Sequence, residues 1–168
     1  MVALSSIPLD LATLIQAAAD PEHGGLVTFV GTTRRESDLR AVRALVYEAY
    51  EELALRELQT IAEEAAARFG ARIALAHRTG RVSVGEASVA VAASAPSRPD
   101  AFAACRYAID ELKSRAPIWK QTEYADGEAA WLDGRQERAH GRWAEEGAPG
   151  EGRGARPTPA PVRGGRPA

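Results

Sequence analysis

The chain has 168 residues, 45% hydrophobic and 26% charged, with a formal net charge of −2, which suits one domain with a real core and excludes a highly charged disordered chain. Residues 1–133 hold 14 Lys+Arg against 19 Asp+Glu, and residues 134–168 hold 7 Arg against 4 Glu, so the body lacks the basic face that a nucleic-acid binder needs. A single cysteine, no apolar run of bilayer length and no signal-like N-terminus argue against a disulfide framework, a membrane span and secretion, and a cytoplasmic protein is expected.

In chain order, Leu9 to Ala19 reads as a short helix, with Pro8 and Asp10 at its start and Leu11, Leu14 and Ile15 on one face. Leu26–Val30 is a β-rich run closing at Gly31, and residues 32–41 read as an exposed polar loop. Val42–Tyr50 alternates as a strand with Leu45, Tyr47 and Ala49 on one side. Residues 51–69 form the clearest helix, with Leu55, Leu58, Ala62, Ala65 and Phe69 as the apolar stripe and Gly70 as its C-cap. Two strands follow at Arg72–Thr79 and Ala87–Ser94, the second half-buried through Val89, Val91 and Ala93.

A second long helix opens at Pro99–Asp100, with Phe102, Cys105, Ile109 and Leu112 as its stripe, and Pro117 stops it. Trp119 is expected to anchor the segment after the break. The domain should end near residue 133. Residues 134–168 read as a Gly/Pro/Arg-rich tail, partly or wholly disordered, with some helical tendency at its start. The expected fold is α+β, a mixed or antiparallel sheet packed with two long helices and one short N-terminal helix.

Of 21 basic residues only Lys113 and Lys120 are lysine. In a chain that otherwise uses arginine, retained amines suggest a need for a group that can lose its proton, as base or nucleophile. Lys113 falls in the last helical turn and Lys120 just beyond Pro117, which places both near one corner. Gly31-Thr32-Thr33-Arg34-Arg35 follows a strand, and Ser97-Arg98 precedes a helix whose free N–H groups favour an anion. Together these clusters suggest a site for an anionic ligand, with Arg34 and Arg98 able to hold phosphate by paired hydrogen bonds. Cys105, on an apolar stripe, reads as core rather than nucleophile, and His77, on a strand, as structural. No residues show metal-ligand spacing, so neither metal nor cofactor is expected.

The run Glu111-Leu112-Lys113-Ser114-Arg115-Ala116-Pro117-Ile118-Trp119-Lys120 resembles the LK-x-x-x-PIWK signature of the molybdopterin synthase catalytic subunit family. Gly31-Thr32-Thr33-Arg34, Leu45–Tyr50, His77-Arg78-Thr79-Gly80, Val84-Gly85-Glu86 and Ser94–Arg98 extend the resemblance in the family's order, from about residue 8 to Asp133. It implies a hammerhead-like fold and a central homodimer. In the resulting heterotetramer each copy binds a small ubiquitin-like sulfur carrier ending in a Gly-Gly thiocarboxylate. The implied reaction converts cyclic pyranopterin monophosphate to molybdopterin by two sulfur transfers, in molybdenum cofactor biosynthesis. Carried over by position, Lys113 is the catalytic amine, acting as base or acid or trapping the carrier's acyl end, and Lys120 assists by binding the terminal carboxylate or the substrate. Thr32, Thr33, Arg34, Ser97, Arg98, Gln121 and Thr122 join the lysines as substrate-binding residues. Arg34, Arg98 and Lys120 around Lys113 would favour its neutral form.

Two positions depart from the family pattern. Ser97 stands where the family usually has histidine, and Gln121-Thr122 intervene before Glu123 where a basic and then an acidic residue are usual. Serine cannot titrate, so a non-catalytic subunit that binds the carrier as a scaffold is the alternative reading, and a plain binder of a phosphorylated metabolite is a third.

Overall fold

The computed structural model describes residues 1–37 and 39–132; the tail, with its expected disorder and helical tendency, lies outside the described residues. The elements in order are β1 (Val2–Ser5), α1 (Leu11–Ala18), β2 (Gly25–Thr32), β3 (Glu36–Ser37), β4 (Arg40–Ala49), α2 (Glu51–Phe69), β5 (Arg72–Arg78), β6 (Gly80–Ser83), β7 (Ala87–Ala95), α3 (Arg98–Arg115), β8 (Ile118–Tyr124) and β9 (Ala129–Leu132). The fold is α+β, as expected, but its strands divide between two sheets. One has the order β1-β5-β7-β2, with β1 parallel to β5 and the other pairs antiparallel. The other is antiparallel, in the order β3-β4-β8-β9, with β6 also on β4.

The first sheet is covered on both faces. Asp10 caps α1 by accepting hydrogen bonds from the Ala12 and Thr13 amides at 3.0 and 3.3 Å. Its Leu14 and Ala18 rest on Ala74, Ala76, Ala90 and Ala92, small side chains that let the helix approach the strands closely. On the other face, Leu58, Ile61 and Ala65 of α2 and Ala104, Cys105, Ala108 and Leu112 of α3 pack over Ile73, Leu75, Val89 and Val91. Strand β7 is therefore buried on both sides along Ser88–Ala95, not half-buried.

Alanine also explains where the expected helix stripes shift. In α2 the buried positions are Ala54, Leu58, Ile61, Ala62 and Ala65, while Leu55 is exposed. In α3 they are Ala101, Ala104, Cys105, Ala108 and Leu112, while Phe102 is 60% exposed. Both helices bury several alanines against the sheet beside their larger core residues, and Leu55 and Phe102 are left outside. Trp119, expected as an anchor, is likewise exposed. Gly70 ends α2 in the left-handed region at φ 60°, as its C-cap position requires.

Part of the expected 32–41 loop lies in strands. Thr32 completes β2, and Glu36 and Ser37 pair with Ala41 and Arg40 in a tight hairpin. A strand of two residues shows no periodicity, so the sequence pattern misses it.

Arg115 ties the end of α3 to α2. It donates to Glu57 at 2.5 Å, Glu64 at 2.6 Å and Glu111 at 3.3 Å, and Tyr107 donates to the same Glu64 at 2.8 Å. The hydrogen bonds from Arg115 and Tyr107 hold the Glu64 carboxyl below its ordinary range. This network is half-buried and sits two residues past Lys113, so it fixes the helical turn that carries that amine.

The core account predicts that Leu58→Ala, which empties space under α2, lowers unfolding free energy by about 2–5 kcal/mol. Urea denaturation of the full chain checks it through the shift in midpoint.

Candidate active site

Where the two sheets meet, a cavity of about 190 Å³ opens between them. Phe29, Gly31 and Thr32 from β2 and Ser88 and Val89 from β7 form one wall. Val42, Leu45 and Tyr47 from β4 form the opposite wall, with Lys120 and Thr122 from β8. Arg34, Glu36 and Ser37 border it from the hairpin, and Lys113 enters from the last turn of α3.

Local register explains this convergence. Lys120 lies directly across from Tyr47, and Thr122 from Leu45, so the four side chains share one face of the second sheet. A bulge between Val42 and Ala44 brings Val42 to that same face. Lys113 precedes the helix cap at Ala116, whose amide bonds to Leu112 O at 3.0 Å. The chain then turns at Pro117 and returns as β8. Gly31 is required for close approach, because an added Cβ would lie 2.6 Å from Val89 Cγ1.

Five of the residues expected from sequence meet here: Thr32, Arg34, Lys113, Lys120 and Thr122. Four do not. Thr33 is buried away from the cavity, with its amide bonded to Glu86 O at 3.0 Å. Gln121 alternates with Lys120 and Thr122, so it points to the other face of β8. Ser97 is the N-cap of α3, its hydroxyl accepting from the Asp100 amide at 3.3 Å and donating to the Asp100 carboxylate. Arg98 stands at the start of that helix, roughly 22 Å from Lys113 by helical rise, beyond the reach of its side chain. Sequence reasoning missed Phe29, Glu36, Ser37, Tyr47, Ser88 and Val89 as cavity residues. Only the β4–β8 register, which sequence does not disclose, puts Tyr47 opposite Lys120.

His77 lies beneath this wall on β5, 1% exposed, with its ring edge-on to Tyr47 at 4.8 Å. Its Nδ1–H donates to Arg78 O at 2.8 Å, which leaves Nε2 as the unprotonated nitrogen of a neutral ring. Burial pushes its pKa down to about 4, with the charge of Lys113 adding to the effect. Cys105 is buried, and burial pushes its thiol up to about 11, so it offers no thiolate. Away from the cavity, His23 Nδ1 meets Ser94 Oγ at 2.7 Å, but that hydroxyl already donates to Ala18 O. The pair fastens the α1 end to β7 and is no hydrolytic dyad. Thr122 Oγ1, fully buried, has no hydrogen-bond partner among the described residues.

The fold and cavity define an α+β protein that gathers two amines and an arginine around a recess suited to an anionic ligand. Comparison places it further. The family model described as MoaE protein matches residues 4–115. The molybdopterin synthase catalytic subunit of Oryza sativa subsp. indica is 50% identical over 129 residues, which take in 76% of this chain and 66% of that one, just under two thirds of its length. The crystal structure of molybdopterin synthase from Staphylococcus aureus matches with a TM-score of 0.74 at 29% identity, over 77% of this chain and 95% of that one. A complex of subunits 1 and 2 of the molybdopterin-converting factor from Helicobacter pylori shares the fold, with a TM-score of 0.66 at 24% identity over 79% of this chain and 90% of that one. The chain belongs to the MoaE protein family.

The environment of His77 makes a testable statement about pH. Its folded pKa lies below the unfolded value, so the stability it contributes is complete above about pH 6.5 and is lost as pH falls toward 4. Unfolding free energy measured between those limits should fall by about 3 kcal/mol from this group. His77→Gln should remove that part of the slope.

Proposed function

We propose that this chain is the catalytic subunit of a molybdopterin synthase, a cytoplasmic sulfurtransferase of molybdenum cofactor biosynthesis. It converts cyclic pyranopterin monophosphate to molybdopterin, taking two sulfurs from the C-terminal thiocarboxylate of a small ubiquitin-like partner. The observation that carries the reading is the meeting of Lys113, Lys120 and Arg34 in one recess, while the only cysteine is buried elsewhere. A chain without an accessible thiol takes its sulfur from outside. The name of the rice relative and the two-subunit assembly from Helicobacter support the same reading.

Each group has work suited to its chemistry. Arg34 holds the phosphate with its fork of N–H donors, and Thr32 and Thr122 supply hydroxyls. Lys120 receives the carrier's terminal thiocarboxylate as a point charge. Lys113 moves a proton during sulfur addition or traps the carrier's acyl carbon. Each transfer forms a carbon–sulfur bond on the pterin side chain and breaks the one in the carrier, which leaves as a carboxylate after water supplies the oxygen. The catalytic unit is residues 1–133, with 134–168 as an appended tail.

A second copy completes the site. Strand β2 is the edge of its sheet and carries exposed Leu26, Phe29 and Val30, an arrangement that proteins rarely leave uncovered. It runs alongside α3 in the same sense: Gly25 lies against Arg98, and Gly31 lines the cavity with Lys113. Antiparallel pairing of two such edges about a twofold axis sets the Arg98 end of one copy beside the Lys113 end of the other. Arg98 then reaches a phosphate in its neighbour's cavity.

Supplied with cyclic pyranopterin monophosphate and thiocarboxylated carrier, the wild type should form molybdopterin, and Lys113→Ala should lose about 10²- to 10⁴-fold in rate with carrier binding intact. No product from a folded wild type that still binds the carrier would contradict the catalytic reading and leave the scaffold one.

A further inference from the structure

Glu36 is the one carboxylate among the described residues that line the cavity. It shares the hairpin border with Arg34, yet the two side chains form no ion pair, and Glu36 makes no side-chain hydrogen bond among the described residues. Opposite charges two residues apart on one border usually find each other when nothing else claims them. Glu36 pairs through its backbone with Ala41 on β3, and its exposed side chain borders the cavity, while Arg34 lies in the irregular segment just before that strand. The recess therefore offers two kinds of recognition, cations for an anionic group and a two-oxygen acceptor for a donor group.

A carboxylate accepts two parallel N–H bonds from adjacent donors in one plane, as it does from a guanidinium. An anionic phosphate or thiocarboxylate cannot use it and is repelled by it. The reduced pterin of the proposed substrate presents such a donor pair, the 2-amino group and the neighbouring ring N3–H. We propose that Glu36 is a specificity-determining residue that binds the 2-amino/N3–H edge of the pterin, opposite the cations that hold its phosphate. This rests on the reading of the cavity as the pterin site. It orients the ring, so that the side chain to be sulfurated faces Lys113 and Lys120.

The sign of one substitution separates this role from a general charge effect. If Glu36 only moderates the positive field of the cavity, Glu36→Gln removes a repulsive charge and the pterin phosphate binds more tightly. If Glu36 pairs with the pterin edge, Glu36→Gln keeps one acceptor but places an amide donor against an N–H, and binding weakens.

The experiment titrates full-length wild type, Glu36→Gln and Glu36→Ala with three probes: cyclic pyranopterin monophosphate, its 2-deamino analogue and inorganic phosphate. Thermal melting confirms that each variant is folded. The expected result is that wild type prefers the natural pterin over the deamino analogue by about ten- to a hundredfold. Both variants lose that preference, bind the natural pterin more weakly by a similar factor, and bind phosphate as well as wild type or better. Variants that keep the preference, or that bind the natural pterin more tightly, overturn the proposal while leaving the pterin site in place. A folded wild type that binds no pterin overturns the underlying reading and this inference with it.

Discussion

The site depends on where α3 is forced to stop. Proline at position 117 cannot extend the helix, and Ala116 before it takes an extended conformation at φ −66° and ψ 130°. Its neighbours fix the turn: Ile118 N bonds to Ala116 O at 2.8 Å, and Pro117 O accepts from the Tyr50 amide at 3.2 Å, tying the reversal to the start of α2. Without the break, Lys113 and Lys120 would lie about two helical turns apart on one rod. With it, one amine leaves the end of a helix and the other rises from a strand, and both enter the same recess. The Arg115 network then holds the last turn against α2, so the position of Lys113 does not depend on the reversal alone.

The walls of the cavity come from two sheets. The first is sealed by helices on both faces, so β7 can present Ser88 and Val89 at its end without exposing its backbone. The second carries Lys120 in register with Tyr47, and Lys113 enters from the end of α3. His77 lies at the seam, neutral and packed edge-on to Tyr47, so it adds no charge to the floor of a site already rich in cations. The buried, unpartnered hydroxyl of Thr122 has a cost that a bound ligand or an ordered water would offset.

Much of this was legible in the sequence, for reasons that differ by element. The helix over 51–69 and the stop at Pro117 follow from periodicity and from proline's geometry, and the two rare lysines from composition alone. Strand β7 shows the limit of pattern reading, since its long run of valine, alanine and serine alternates in size rather than polarity and so reads as half-buried. The misplaced stripe residues Leu55 and Phe102 have a similar origin: hydrophobicity favours the large side chain, while close packing favoured Ala54 and Ala101 beside them. For the site, the polar and charged residues Thr32, Arg34, Thr122 and the two lysines were legible, while Phe29, Tyr47, Ser88 and Val89, which reach the cavity only through strand register, were not. Arg98 is the instructive case, because its chemistry fits the ligand but the length of α3 separates it from the cavity of its own chain.

The central claim is that Lys113 of one copy and Arg98 of another serve a single site. It is tested most directly by mixing Lys113→Ala and Arg98→Ala chains, each inactive alone, and measuring molybdopterin formation after exchange. In a mixed dimer one cavity keeps its own Lys113 and receives an intact arginine, so activity should return to about a quarter of wild type for an equal mixture. A mixture that exchanges subunits and stays as inactive as its components would contradict the account, because it would place both residues in the same chain's site.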